Sequence, residues 1–258
     1  MTKLPKPEFF FKGFPEDVRF RSHTVPDSLE IAKGTLYEAW FNALKLSPHY
    51  REGIDTGNWL SEQSRKTYQT FGDLREVHFE EWWVDTGHTL FSEKGAFSKI
   101  VVDDGMAEMD EMTPTISLLV PLNVSPKTLA QQFDLLLKKH HPFYKNFDRM
   151  KASKAAVRLE NRKLTSHAIN RYLQVYAESM KKQDLGIEFH LYDLGYELGL
   201  NPKLTVLDTD YPNEATDKRT KMSVMVSEYL QKAKKLLAHA TEGRFPCTEE
   251  HHWLRDSP

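Results

Sequence analysis

LTSHAINRYLQVYAESMKK (164–182) and IEFHLYDLGYELGLNP (187–202) decide the fold of the C-terminal part of the chain. In the first stretch apolar residues recur at three and four residues, which is the spacing of one helix face. These residues are Leu164, Ala168, Ile169, Tyr172, Leu173, Tyr176 and Met180. The second stretch predicts a shorter helix that ends near Gly199, before Asn201 and Pro202. Two amphipathic helices joined by a short turn are therefore expected.

Two helices in this order also form the front half of a helix-turn-helix, and residues 193–199 resemble its positioning helix. A standard unit has its recognition helix about three or four residues later. Here the next helical pattern begins near Glu214, after an irregular stretch. An ordinary helical bundle has the same periodicity, so both interpretations stay open.

The last long helix is predicted from about Glu214 or Thr216 to Ala240, with Gly243 near its end. Together with the two helices above, it gives a three-helix, possibly helix-turn-helix-like, C-terminal unit over residues 164–258.

Residues 1–142 predict an aromatic-rich N-terminal helical unit. Four of the five tryptophans lie before residue 84, namely Trp40, Trp59, Trp82 and Trp83, and such rings are large core fillers. Helices are expected over about 27–45, 58–70, 74–90 and 126–140, from the apolar spacing and from proline and polar capping residues.

Two short runs interrupt the helical pattern near residues 98–122. SKIVVDD (98–104) and TISLLVPLN (115–123) are aliphatic or β-branched and are bounded by polar residues, which favours strands. The predicted fold class is therefore mainly α with a small β insertion (α+β).

Charge is unevenly distributed, although the net charge of the chain is only −2. Residues 124–182 hold 13 Lys and Arg against 4 Asp and Glu, a net charge of +9, whereas residues 1–123 sum to −7. Residues 143–163, FYKNFDRMKASKAAVRLENRK, have no strong period and predict a basic linker between the two units. Cations neutralise phosphates and interleaved rings stack on bases, so this composition favours nucleic-acid binding.

Six cations are the candidate nucleic-acid contacts: Arg158, Arg162, Lys163, Arg171, Lys151 and Lys154. The first four are expected to hold phosphates. A solvated linker that balances the acidic N-terminal half explains the same charges, and so does a surface that docks on an acidic protein.

Enzyme and metal motifs have little support in the sequence. Phosphate-loop, dinucleotide-binding and nucleophile-elbow patterns are absent. His78, Glu81, Asp85 and His88 fall on one helical face, which we interpret as the solvent face because Phe79 and Trp83 lie opposite. We predict no catalytic residue, no metal site and no cofactor.

Cys247 is the single cysteine, so no intrachain disulfide is expected. A nucleophile and base pair of Cys247 with His251 is a weak hypothesis, and the adjacent His251 and His252 are interpreted as ordinary tail residues. No segment reaches the roughly 20 apolar residues of a membrane span, and the first residues lack the apolar region of a secretory signal. We expect a cytoplasmic protein.

SEYLQKAKKLLAHATEGRFP (227–246) and YDLGYELGL (192–200) resemble the C-terminal part of uncharacterised bacterial proteins carried on plasmids and integrated elements. The resemblance covers about the last third of the chain and implies a bacterial mobile-element context, with no catalytic residues. The leading hypothesis is a non-catalytic DNA-binding protein of a mobile element or phage-related system. The alternative is a structural or interaction subunit of a defence, conjugation or phage-assembly complex that does not bind nucleic acid.

Overall fold

The computed structural model describes residues 9–19, 21–93, 116–141, 144–146, 148, 150–160 and 163–254, and these are mainly helical. The helices of the N-terminal part are α1 (Val25–Ala32), α2 (Leu36–Leu46), α3 (Pro48–Thr56), α4 (Glu62–Phe71), α5 (Phe79–Trp82) and α6 (His88–Phe91). The later helices are α7 (Pro126–His140), α8 (Ser166–Asp184), α9 (Leu191–Glu197) and α10 (Pro212–Thr241).

Helix α10 is the element around which the others pack. It contacts α2, α3, α4, α8 and α9, and at about 1.5 Å per residue its 30 residues extend roughly 45 Å. Its buried residues change partners along its length: Met222 and Val226 pack with Val175 and Leu194, whereas Leu236 and Ala240 belong to the large aromatic core. One long helix therefore links two hydrophobic clusters.

The predicted helix over 27–45 is two helices in the structure. Gly34 lies between α1 and α2 with φ of +72°, a conformation that glycine adopts without a Cβ clash. The hydroxyl of Thr35 then caps α2 by accepting from the backbone N–H of Tyr37. Because of this break, α1 does not continue along the axis of α2, and both helices pack into the same core.

A π-helical turn, Trp83–Gly87, separates α5 from α6. A wider turn changes the angle between successive side chains, so the 100° spacing assumed for residues 78–88 fails here. Both Trp82 and Trp83 are buried, and so is His88, whose Nδ1 lies 2.9 Å from the carbonyl oxygen of Trp83. The prediction that His88 lies on a solvent face is therefore wrong.

The core crosses the boundary predicted between residues 1–142 and 164–258. A single cluster contains Trp40 and Phe91 of the N-terminal part together with Tyr176 and Leu236 of the C-terminal part. The indole N–H of Trp40 points to the carbonyl oxygen of Ala240 at 3.4 Å, and its ring stacks on Phe245. The division into two units stays a prediction, and the packing argues for one cooperative structure.

The small β insertion is not found in the described residues. Residues 98–115 lie outside them, and Ile116–Leu122 form no strand. Leu119 and Leu122 are 102% and 93% exposed. A β-branched, aliphatic run becomes a strand only when a partner strand supplies hydrogen bonds, and no such partner exists within the described ranges.

Helix α9 ends as predicted, because Gly199 has φ of +56° and the backbone N–H of Leu200 donates to the carbonyl of Gly195. Residues 198–211, including a 3₁₀ turn at Pro202–Leu204, separate α9 from α10. A Cβ on Gly195 would lie 2.7 Å from Met222, so α9 packs closely on α10. The long separation does not confirm a helix-turn-helix.

Within the described residues, none of the helices combines the length and the apolar character needed to cross a lipid bilayer.

Replacing Trp40 by alanine tests whether the core is one cooperative unit. Trp40→Ala should lower the free energy of unfolding by about 3–5 kcal/mol, because a fully buried indole is replaced by a cavity. Urea unfolding followed by circular dichroism measures this loss, and hydrogen exchange should show α8 amides losing protection with it. Leu60→Ala, at a 53% exposed position, is the control and should change the free energy by less than about 0.5 kcal/mol. Wild-type protection of α8 in Trp40→Ala would instead establish an independent C-terminal unit.

Candidate functional site

A groove of about 880 Å³ lies between α4, the C-terminal end of α10 and the irregular described residues 148 and 150–160. The volume is within the roughly 300–1,000 Å³ typical of ligand sites. Its floor includes the buried rings of Trp40 and Phe71, so the hydrophobic core supports it from below. We call this cavity the basic groove, because it contains two of the predicted nucleic-acid contacts.

Glu93 holds one end of the segment that forms the groove wall. Its carboxylate accepts from the hydroxyl of Ser153 at 2.5 Å and from the backbone N–H of Lys154 at 2.8 Å. The Nζ of Lys12 lies 3.5 Å away and completes an ion pair. The side chain of Glu93 is only 3% exposed. The three donors offset the free-energy cost of burying its negative charge. A carboxylate distant in sequence therefore fixes residues that have no helix of their own.

The other end of this segment is fixed to the core and to the chain after α10. The backbone N–H of Val157 donates to the carbonyl of Leu90 at 2.9 Å, and that of Glu160 donates to the carbonyl of Phe245. The guanidinium of Arg244 lies 2.9 Å from the Glu160 carboxylate, which raises the pKa of Arg244. Leu159 is buried in the aromatic core between these points.

Cations and acids line the basic groove in equal number, but their partners differ. Lys66, Lys151 and Arg158 are exposed, and they form no ion pair within the described ranges. The lining acids are engaged: Glu160 pairs with Arg244, Glu242 with His251, and Asp148 accepts from the backbone N–H of Met150 and Lys151. Among the described residues the groove therefore presents three cations that are not held in an ion pair with a lining carboxylate.

The structure brings together only part of the predicted set. Lys151 and Arg158 line the basic groove, whereas Lys154, Lys163 and Arg171 are not among its lining residues. Lys163 is exposed, and Lys154 is half-buried near Glu93. The guanidinium of Arg171 donates to the carbonyl of Leu198 at 3.3 Å, which joins α8 to the end of α9. Arg162 lies outside the described residues.

Lys66 was missed by the sequence reasoning because it belongs to a helix in the acidic half of the chain. It lies on the exposed face of α4 and meets the segment 148–160 only through tertiary folding. Because Lys66 lies on the polar face of an amphipathic helix, the sequence pattern predicts only contact with solvent. The basic residues that it meets follow it by more than 80 residues, so no local pattern in the sequence indicates that they come together.

A second cluster of polar side chains lies at the C-terminal end of α10, beside the basic groove. Nε2 of His251 lies 3.0 Å from Oε2 of Glu242, which also lines the groove, and the His252 ring stacks on that of His251. The ring of His239 meets His251 at a centroid distance of 4.6 Å. Burial lowers the pKa of both His239 and His251, so these imidazoles favour the neutral form.

These tail histidines were interpreted as ordinary residues, and the structure instead gives them specific partners. Gly243, with φ of +78°, reverses the chain after α10, so residues 249–252 return against the end of that helix. The available signal was the glycine followed by Pro246, which together predict a turn that brings a later His-rich segment back to Glu242.

Cys247 does not have the character of a nucleophile. The thiol is buried, and burial raises its pKa, so the reactive thiolate is disfavoured. The expected absence of a Cys247 and His251 catalytic pair remains a prediction that only an activity measurement can address.

The chain was compared with protein-family models, with curated proteins and with solved structures, and none of the three comparisons gave a match.

Glu93→Ala tests whether this carboxylate positions the wall of the basic groove. The substitution leaves two donors of the segment without an acceptor, so unfolding free energy should fall by about 1–3 kcal/mol. Trypsin should cleave the native protein faster after Lys151, Lys154 and Arg158, as measured by mass spectrometry of timed digests. Glu76→Ala, which removes an exposed carboxylate, is the matched control. Equal cleavage rates in wild type and Glu93→Ala would contradict the positioning role.

Proposed function

We propose that the protein is a non-catalytic DNA-binding protein that holds the phosphate backbone in the basic groove. The observation that carries this proposal is the convergence of Lys66, Lys151 and Arg158 on one groove while its carboxylates are engaged elsewhere. Lysine and arginine side chains neutralise phosphates and release the counterions condensed on DNA. Lys151 and Arg158 belong to the basic linker 143–163, whose composition favours nucleic-acid binding.

The same geometry supports phosphate contacts more than base stacking. Trp40 and Phe71 line the groove, but they are 0% and 3% exposed, so their faces are used by the core. The hydroxyl of Tyr144, which belongs to the basic linker, donates to Asp134. Contacts to phosphates fix a protein on DNA without reading its sequence, so binding with little sequence preference is the expected behaviour.

The remaining parts of the hypothesis stay proposals. Lys154, Lys163 and Arg171 are proposed as contacts outside the groove, and Arg171 already donates to the end of α9. Arg162 remains a predicted contact, and it lies beyond the described residues. A helix-turn-helix role for α9 is not required by phosphate binding. The bacterial mobile-element context rests on the resemblance of residues 192–200 and 227–246 to plasmid and integrated-element proteins.

Lys151→Gln/Arg158→Gln is the direct test of the groove. Each lost phosphate contact should reduce the slope of log affinity against log salt by about 1, so the double variant should lose about 2. Affinity should fall for a labelled random duplex and for its single strand, measured by anisotropy across a salt series. Lys127→Gln/Lys203→Gln removes the same charge from two exposed lysines outside the groove and is the matched control. Wild-type affinity and slope in the groove variant, or an equal loss in the control, would exclude this site.

A protein-interaction subunit is the second candidate, and a separate surface favours it. The described part of the segment before α7 exposes Ile116, Leu118, Leu119, Val120 and Leu122. Helix α7 follows with no fully buried residue, and its apolar side chains Leu129, Phe133, Leu136 and Leu137 are only half-buried. Contiguous exposed apolar side chains are typical of protein-binding surfaces.

Leu119→Ser/Leu122→Ser tests this second candidate in its simplest form, association with another copy of the chain. Native mass spectrometry should give a dimer for the wild type and a monomer for the variant, because the substitution removes the exposed apolar contact. Unfolding free energy should change by less than about 0.5 kcal/mol, since both side chains are fully exposed. Leu185→Ser is the control at another exposed leucine. A wild-type monomer at all concentrations tested would contradict self-association through this surface.

A further inference from the structure

The cluster at the end of α10 contains the donor set of a metal site. Glu242, His251 and His252 each offer a ligand atom, and these atoms lie within 4.8 Å of one another. Two imidazoles and one carboxylate are a common set for zinc and for other divalent transition metals. His251 is 2% exposed and His252 is exposed, so the cluster has one fixed side and one side open to solvent.

The backbone after α10 explains how Glu242 meets His251, which follows it by 9 residues. Glu242 is the C-cap of α10, and its backbone N–H donates to carbonyls of the last helical turn. After the reversal at Gly243, Nε2 of His239 meets the carbonyl oxygen of Glu249 at 3.2 Å. The 3₁₀ turn His252–Leu254 then follows directly. The end of a long, buried helix therefore holds Glu242, while the returning chain supplies the two imidazoles.

An independent observation concerns the neighbouring imidazole of His239, which is 3% exposed. Its Nε2 donates to the Glu249 carbonyl, so its Nδ1 carries a lone pair. This Nδ1 is buried and has no hydrogen-bond partner among the described residues. A buried polar atom without a partner is rare in folded proteins. The ring that carries this nitrogen contacts the ring of His251 at a centroid distance of 4.6 Å, so the unpaired atom belongs to the immediate surroundings of the three ligands.

We propose that Glu242, His251 and His252 bind a divalent transition-metal cation, with Zn²⁺ as the first probe. Three protein ligands leave the fourth tetrahedral position to water. Zinc bonds of about 2.0–2.1 Å place tetrahedral ligand atoms about 3.3 Å apart. The 3.0 Å separation of His251 from Glu242 is close to this value. The exposed His252 side chain supplies the remaining contraction by rotation.

Binding requires a change of tautomer in His251. The backbone N–H of Trp253 donates to Nδ1 at 3.3 Å, so Nε2 carries the proton that faces Glu242. A cation bound to Nε2 displaces that proton, and a neutral ring then carries its proton on Nδ1. Nδ1 can no longer accept from Trp253, so the turn His252–Leu254 has to shift. The indole of Trp253, which meets His251 edge to face at 4.6 Å, reports this shift.

The site is separate from the proposed DNA contacts, although Glu242 also lines the basic groove. Its three ligands include none of Lys66, Lys151 and Arg158. A variant that loses DNA binding through Lys151 and Arg158 is therefore expected to keep its metal affinity. This distinction lets the two proposals fail independently.

The test is titration of the chelator-treated 258-residue protein with Zn²⁺ alone, by isothermal calorimetry. The wild type should bind one Zn²⁺ per chain, and His252→Ala should bind at least tenfold more weakly. His252 is exposed, so its loss should leave the metal-free melting temperature unchanged. His167→Ala and His190→Ala remove other exposed imidazoles and should keep wild-type affinity. Zn²⁺ should also change the fluorescence of the wild type, and Trp253→Phe should lose this change while retaining binding.

Two results would overturn the proposal: no saturable binding of Zn²⁺ by the wild type, or equal affinity in wild type and His252→Ala. Glu242→Gln is a second variant, which keeps the size of the side chain and removes the negative charge of the ligand. It should also lose at least tenfold in affinity. Unchanged affinity in a folded Glu242→Gln protein would count against the site.

Discussion

The contact of Trp40 with the end of α10 is the interaction on which the remaining structure depends. The indole packs on Phe245 and points its N–H to the carbonyl of Ala240, in a helix turn whose carbonyls have few intrahelical donors. Close by, the hydroxyl of Ser47 meets that of Thr241 at 2.8 Å. Because Thr241 donates its own proton to the carbonyl of Leu237, Ser47 is the donor in this pair. Helix α2 is thus attached to α10 by apolar packing and by satisfied polar atoms together.

The two candidate sites meet at this attachment point. Glu242 and Gly243, which follow the last residue of α10, line the basic groove, and Glu242 also contacts His251. Helix ends have unpaired carbonyls and chain reversals, so they position polar side chains that a helix interior cannot bring together. The last residues of α10 before Glu242 are buried, so packing against the core holds this end in place. Stability and the proposed binding chemistry therefore depend on the same few residues.

Local sequence signals predicted the long helices because each helix carries its own burial pattern and end signals. Helices α7, α8 and α10 begin and end within a few residues of the predicted positions. The basic groove had no such signal, since its wall is irregular and depends on Glu93, 60 residues before Ser153. At the π-helical turn Trp83–Gly87 the side chains do not follow the regular 100° spacing, so that spacing predicted the wrong face for nearby residues. Strand formation at 116–122 required a pairing partner that the sequence pattern cannot supply.

The use of aromatic rings in the core limits what the groove can recognise. The rings of Trp40 and Phe71 contact each other, Phe71 also stacks on Trp82, and both expose almost no surface. They support the floor of the groove without offering a face to a base. The cationic side chains at the rim are not held by the core in this way. Their long, flexible stems keep the charged groups in water, where a ligand can reach them. If the proposed function is correct, the affinity of such a surface for DNA should depend on ionic strength more than on base sequence. Recognition of base edges would require polar side chains outside the groove, such as those exposed on α9 and on the first turns of α10.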